Sequence, residues 1–346
     1  DNLQHEPQGL WASSAAISPP SFGLPVESLD VDVVVIGAGY CGLSAALHLA
    51  EAGRSVCVLE ANDVGYGASG RNGGQVLPGL KLEQTELVSR FGETGRSLWA
   101  MAEGAPEFVA RLIARKSLAC RFERTGALRL PHNAAARRRV YAAALDLERR
   151  GIDARWLNAV ETTHVVGSQA YPGALLDMRA GSIHPLEYVR ELARVAQAAG
   201  VRIHTRTPAS RLEQTRNGWI VHTKQARFAA GTVLVATNGY TDSLVPGLAR
   251  TLLPVNSFQI ATAPLDEARL RHLLIGNPCA FETRRMAIYF RKSFDGRLIF
   301  GGRASFSSRQ HGAPVADYSV MTRELHARFP SLRDVPIQYR WTGLVC

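Results

Sequence analysis

Lysine is almost missing from this chain: of 40 basic residues only Lys81, Lys116, Lys224 and Lys292 are Lys, and the rest are Arg. The arginines are scattered through segments such as 136–150 rather than gathered into a run. The formal charge of +10 therefore reads as a solvated basic surface and not as a nucleic-acid interface, although a positive field still draws anionic substrates. The five cysteines (Cys41, Cys57, Cys120, Cys279 and Cys346) have no CxxC spacing and are odd in number, which points to reduced thiols rather than a metal site or a disulfide framework. Residues 1–25 lack the basic start and apolar core of a secretory leader; their Pro, Ser and Ala content suggests an arm lying over the surface of a cytoplasmic protein. The 10 histidines form no HxxxH cluster, and no Ser/His/Asp arrangement is visible. An uninterrupted membrane-length apolar run is missing too. Residues 32–53 come near one, but glycines at fixed spacing and the strand that follows exclude a span.

What is present is a stretch of 30 residues, Asp32 to Ala61, that reads strand, glycine turn, helix, strand, acid. Val33–Ile36 is an apolar β-branched run, and Gly37, Gly39 and Gly42 then supply GxGxxG. Gly37 permits a tight turn, Gly39 lets backbone approach a pyrophosphate, and Gly42 lets a helix over 41–52 pack closely on the strand. That helix start, with Tyr40 and Cys41, offers free N–H groups and a positive dipole end to phosphates. Cys41 is either a thiol made acidic by the helix end or, as its frequent burial favours, a small packing residue. Glu60 ends the second strand, 21 positions after Gly39; with Ala61 beside it, it is placed to meet adenosine ribose hydroxyls and disfavours a 2′-phosphate.

This pattern alone leaves NAD and FAD open. The next segment, NDVGYGASGRNGGQ, carries Gly65, Gly67, Gly70, Gly73 and Gly74 among Ala68, Ser69, Arg71 and Asn72. Five glycines in ten residues imply bare backbone lying along something flat or anionic, which an isoalloxazine requires and a nicotinamide does not.

With those two motifs the chain resembles the glycine oxidase and D-amino acid oxidase superfamily of FAD-dependent oxidoreductases, and within it most closely the gamma-glutamylputrescine oxidoreductase branch. Segments 180–209, 233–246, 253–265, 289–303 and 328–343 extend the resemblance over most of the chain from about residue 30 onward. It implies an α/β fold: a Rossmann-type FAD-binding domain with a parallel central sheet and an inserted α+β substrate domain with a mixed or antiparallel sheet. The division expected is an arm over 1–27, an FAD-binding domain over 28–82 and 176–250, and a substrate domain over 83–175 and 251–346. It also implies that backbone near Ala209 meets the adenine and that Ala236, Thr237 and Asn238 stand beside the cofactor; Asn238-Gly239 is equally an ordinary turn. The family continues past the WTG motif where this chain stops at Cys346, so a truncated form is expected, with a non-catalytic remnant as one outcome.

Local pattern fills in the remainder. One or two helices are expected over 83–116, a hairpin over 121–130 turning at Thr125-Gly126, helices over 134–150 and 185–199, and strands at 201–205, 233–236, 257–262, 287–291 and 298–301, with Asp295-Gly296 as a hairpin turn. Tyr289 and Arg291 project from one strand face. They are either a substrate wall, as the resemblance implies, or a core aromatic and an exposed cation. His184 before Pro185 reads as a helix cap. The chemistry implied is oxidation of a small amine, amino acid or gamma-glutamylated polyamine by hydride transfer to flavin N5. Electrons then pass to oxygen or another acceptor, assisted by a cation such as Arg71 or Lys292. An NAD-dependent dehydrogenase is the alternative enzyme.

Overall fold

The computed structural model of the chain describes residues 9–305 and 318–346, so residues 1–8 of the expected arm lie outside the described residues. The run Val33–Ile36 becomes part of strand Leu29–Ile36, at the centre of a six-stranded sheet. In order, the strands are Arg202–His204, Val56–Leu59, Leu29–Ile36, Arg227–Val235, Gly218–His222 and Arg211–Thr215. The first four run parallel, with Val33 opposite Val56 and Ile36 opposite both Leu59 and Val235. Apolar clusters hold both faces, one joining Val35 and Val58 to the helices and the other joining Val34 and Cys57 to Val221 and Phe228, so these four residues have no exposed face; a continuous apolar run, not an alternating one, is what such strands need. Helices Tyr40–Glu51 and Pro185–Ala198 pack together on one face through Leu43, Ala46, Leu47, Val189 and Leu192.

The strand expected at 233–236 is only the end of the nine-residue Arg227–Val235. Its other partner is the antiparallel hairpin Arg211–Thr215/Gly218–His222, which the sequence reading passed over. RLEQT is polar and largely uncovered, so it carries no apolar run; the signal that marks it is Asn217-Gly218 at the turn.

The second sheet has eight strands, in the order Ile337–Val345, Val255–Thr262, Leu298–Ser305, Tyr289–Lys292, Cys279–Glu282, Ala127–Leu130, Ala174–Asp177 and Ala154–Leu157. All neighbours are antiparallel except Cys279–Glu282 and Ala127–Leu130. The Asp295-Gly296 turn joins Tyr289–Lys292 to Leu298–Ser305 as expected, with Gly296 at φ 77. The hairpin expected over 121–130 does not form. Ala127, Leu128 and Leu130 are buried, so their strand sits inside the sheet with partners on both sides, while Glu123 bridges to Ser182. A core of Phe258, Phe290, Phe300 and Phe329 lies between this sheet and helix Ser319–Arg328.

Helix Gln84–Lys116 is broken at Gly92 (φ 55) into two pieces. Within the described part of the arm, helix Leu10–Ser14 drives Leu10 and Trp11 into the core, while Leu24 and Val26 lie on the surface as expected. No helix among the described residues is long and apolar enough to cross a membrane.

Candidate functional site

The glycine turn connects the central strand Leu29–Ile36 to helix Tyr40–Glu51 at close backbone approach. Gly37 (φ 109) donates to Leu59 O at 2.8 Å, and a Cβ there would stand 2.7 Å from Ala236 O. A Cβ on Gly42 would stand 2.0 Å from Gly37 O and 3.1 Å from Val35 Cγ1, so the helix packs as closely as glycine allows. Gly39 is the N-cap and no side chain of its own caps the helix; Tyr40 N instead donates to Ser69 Oγ at 3.0 Å, tying the helix start to the second glycine loop. Cys41 is exposed at that helix start.

Glu60 closes the turn. Its carboxylate accepts from Ala38 N at 2.8 Å and Asn62 N at 2.9 Å, with Ala61 exposed beside it. Burial pushes the carboxyl above its ordinary range, and these N–H groups only partly offset that. Ala236, Thr237 and Asn238 stand across the turn: Ala236 N donates to Ile36 O at 2.8 Å, and Thr237 and Thr241 share a hydroxyl bond of 2.7 Å. Asn238 (φ 48) caps its own turn through Gly239 N at 2.6 Å, and its Oδ1 also accepts from Cys346 N. Ala209 packs on the opposite face of the sheet, against the cluster of Val34 and Phe228. These groups lie at the carboxyl ends of parallel strands, where open α/β sheets hold ligands.

The second loop is knotted by Asn72. Its Nδ2 donates to Ala68 O, Ser69 O and the Tyr40 hydroxyl, and its Oδ1 accepts from Gly74 N at 2.8 Å. The outward carbonyls are clasped from four distant segments. Arg71 O accepts from Gln259 Nε2 (2.6 Å) and Trp341 Nε1 (2.8 Å), Asn72 O from Trp11 Nε1 (2.9 Å), and Gly73 O from Arg291 Nε (2.8 Å). The Gly73 N–H keeps no partner among the described residues. Glycine is obligatory at Gly74 (φ 66), where a Cβ would stand 2.3 Å from Ile183 O, and a Cβ on Gly67 would stand 2.9 Å from the Tyr240 ring.

Between this loop and the eight-stranded sheet lies a cavity of about 290 Å³, with Arg71 and Gly73 on one wall and Ser257, Gln259 and Tyr289 on the other. The Tyr289 hydroxyl meets Ser257 Oγ at 3.0 Å. Gln259 Oε1 and Arg71 Nη2 are buried without partners, an acceptor and a donor. Arg71 is otherwise fixed by Nε donating to Tyr66 O at 2.7 Å and by its guanidinium lying over the Tyr66 ring. Ser257 and Gln259 escaped the sequence reading, although their i, i+2 spacing on SFQI is the signal that sets both on one face.

Arg291 is 2% exposed, which removes the reading of an exposed cation. It lies behind the loop, its Nη2 donating to Ile183 O at 2.8 Å, its Nη1 without a partner, and its guanidinium between the rings of Trp11 and Phe294. Burial without a facing carboxylate lowers its pKa to about 10. Lys292 is not among the residues lining the cavity; of the two cations considered, only Arg71 is. His184 is a helix cap as expected, its Nδ1 accepting from Glu187 N at 3.2 Å. No group of three or more His, Cys, Asp or Glu that could hold a metal exists among the described residues.

Residues 32–346 match the model of the DAO family, described as FAD dependent oxidoreductase. Over 336 residues the chain is 34% identical to gamma-glutamylputrescine oxidoreductase of Escherichia coli K12, covering 96% of this chain and 78% of that protein. It is 32% identical to a probable oxidoreductase, OrdL, of Rhizobium meliloti, over 97% of this chain and 78% of the relative. Among solved structures, glycine oxidase from Geobacillus kaustophilus superposes with a TM-score of 0.73 at 18% identity, covering 92% of this chain and 83% of that one, a likeness of fold.

Proposed function

From a chain that belongs to the DAO family of FAD dependent oxidoreductases, we propose an enzyme that oxidises a C–N bond of a small amine, an amino acid or a gamma-glutamylated amine. The family assignment removes the NAD-dependent alternative. The residues present fit FAD: Gly37, Gly39, Tyr40, Cys41 and Gly42 would hold the pyrophosphate at a helix start whose N-cap residue is a glycine, and Glu60 with Ala61 the ribose. Gly67, Ala68, Ser69, Arg71, Asn72, Gly73 and Gly74 would lie along the flavin, with Ala209 at the adenine and Ala236, Thr237 and Asn238 at the turn. Support comes from the glycine-lined wall, the free Gly73 N–H and the unpartnered Arg71 Nη2.

FAD, when bound, supplies a two-electron acceptor that takes a hydride at N5. The chain's part is to present the substrate carbon in line and its nitrogen uncharged. The observation that carries this reading is the cavity's charge: among the described residues no carboxylate lines it, and Arg71 is the one charged residue that does. An ammonium meets no counter-charge among the described lining residues, so its desolvation is uncompensated, whereas a neutral amine can donate to the buried Gln259 Oε1 and a carboxylate can pair with Arg71. The substrate carbon gives up a hydride and its nitrogen a proton, leaving an imine that water hydrolyses.

The experiment is the visible absorption spectrum of the purified chain, then anaerobic mixing with amines, amino acids and gamma-glutamylated amines. A flavin band bleached by one of these classes is expected; a yellow protein bleached by none of them would remove the C–N assignment. Within the site, a Cβ on Gly301 would stand 2.1 Å from Tyr289 Cε2, so Gly301→Ala must drive the ring off Ser257. Steady-state kinetics should show kcat/KM falling about tenfold or more at unchanged flavin content, the overpacking costing roughly 1–3 kcal/mol of stability.

A further inference from the structure

We propose that the N-terminal segment from Gly9 to Phe22 is a working part of the cofactor site, with Trp11 a positioning residue that holds the Asn72–Gly73 backbone in place for the flavin. The proposal rests on the reading above that FAD lies against this loop.

Trp11 precedes the nucleotide-binding motif by more than a strand, yet it is fully buried directly behind the glycine loop. Its indole N–H is the side-chain donor on Asn72 O, at 2.9 Å. Its ring meets the Arg291 guanidinium at 5.1 Å, and the Nε of that same guanidinium holds Gly73 O at 2.8 Å. One side chain thus acts on two successive carbonyls, one through its N–H and one through its face. That face is one of the two, with Phe294, between which the guanidinium lies, and among the described residues no carboxylate bonds to it. The Trp341 ring lies edge-on to Trp11 at 6.2 Å and donates its own N–H to Arg71 O, extending the same support by one residue.

A five-residue helix has no stability of its own, so anchors must order this segment. They are numerous and polar. Ala16 N donates to Glu187 Oε1 at 2.8 Å, and Arg121 Nη2 donates to Ser14 O at 2.5 Å. Arg190 Nη1 donates to Ile17 O at 2.5 Å, and Thr205 Oγ1 to Phe22 O at 3.0 Å. A greasy plug would not need its main chain fixed at four points. A device that must place one indole N–H against one carbonyl does. Trp11 does not line the cavity, so its effect on substrate must pass through the loop.

The test compares wild type with Trp11→Phe, which keeps an aromatic face for Arg291 but deletes the N–H, and with Trp11→Ala, which deletes both. Two readouts are the dissociation constant for FAD and the rate of amide exchange over residues 72–76 in flavin-free protein. For Trp11→Phe the dissociation constant should rise roughly three- to tenfold, as for one lost hydrogen bond, and exchange should accelerate. Substrate KM should stay within about twofold, since the cavity wall is intact, and Trp11→Ala should exceed Trp11→Phe on both readouts. Wild-type FAD affinity and wild-type exchange in Trp11→Phe would overturn the proposal while leaving the flavin reading standing. A wild-type chain that takes up no FAD would overturn both.

Discussion

A Gly42→Ala chain is expected to lose FAD on purification and to unfold at markedly lower urea concentration than wild type. The added methyl would stand 2.0 Å from the Gly37 carbonyl oxygen and 3.1 Å from Val35 Cγ1. The first of these is backbone, and it belongs to the residue whose φ of 109 sets the turn, so no side-chain rotation relieves the clash. Either the helix lifts off the central strand or the turn moves. Overpacking of this kind costs about 1–3 kcal/mol where side chains can give way, and here the upper end applies, a large share of the roughly 5–15 kcal/mol that holds a domain folded. Both relaxations also displace the N–H groups at the helix start from the place where a pyrophosphate would sit, so flavin content should fall more than tenfold. Gly104→Ala is the control: nothing lies within 4 Å of a Cβ there, in the interior of helix Gln84–Lys116. That change should raise stability by up to about 1 kcal/mol through helix propensity and leave flavin untouched. Equal loss in both variants would show that the Gly42 effect is not steric.

Gly42 was legible in the sequence because the constraint is local. Strand, turn, helix and strand follow one another within 30 residues, and Gly42 answers to Val35 and Gly37, a few positions away. The same holds for His184 ahead of Pro185 and for the Asp295-Gly296 turn. Legibility fails where the deciding partner is distant. Ala127–Leu130 resembles half of a hairpin until Cys279–Glu282 arrives beside it from about 150 residues further on. Arg291 looks like a surface cation because Phe294 is the one neighbour in sequence that covers its guanidinium; Trp11, Gly73 and Ile183 complete the burial from three separate segments. The arm looks like a loose strap for the complementary reason. Trp11 is set among small residues, and only the folded loop supplies the carbonyl it serves.

Acid should loosen the molecule earlier than its carboxylates require, and His184 is the cause. Its Nδ1 accepts the Glu187 N–H that caps helix Pro185–Ala198, and its Nε2 stands 3.1 Å from Ser14 Oγ, whose own proton goes to Leu10 O at 2.7 Å. That chain of donors fixes a neutral ring with its proton on Nε2, because a second proton on Nδ1 would face an N–H. Burial holds the ring's pKa down to about 4; Glu187 pulls the other way, while Arg121 and Arg291 add to the depression. An unfolded histidine titrates near 6.5, so between pH 6.5 and 4 the unfolded chain binds the proton and the folded chain does not. Stability is therefore fully present above pH 6.5 and falls with pH through that window by up to about 3 kcal/mol. Glu187 acts lower down. Burial raises its carboxyl, but Arg121 and the Ala16 N–H outweigh that and hold it below the ordinary range, so its contribution is lost only under about pH 4.5. Glu60, raised by burial, opposes His184 by gaining a proton in the folded chain. His184→Asn separates these terms, since Asn caps the same helix and does not titrate. Urea unfolding of flavin-free wild type and variant at pH 7 and pH 4.8 should show a wild-type loss that the variant lacks. An equal loss in both would place the acid sensitivity elsewhere. Because His184 bonds the arm directly, the arm that holds Trp11 against the loop is also the part of the molecule that acid should release first.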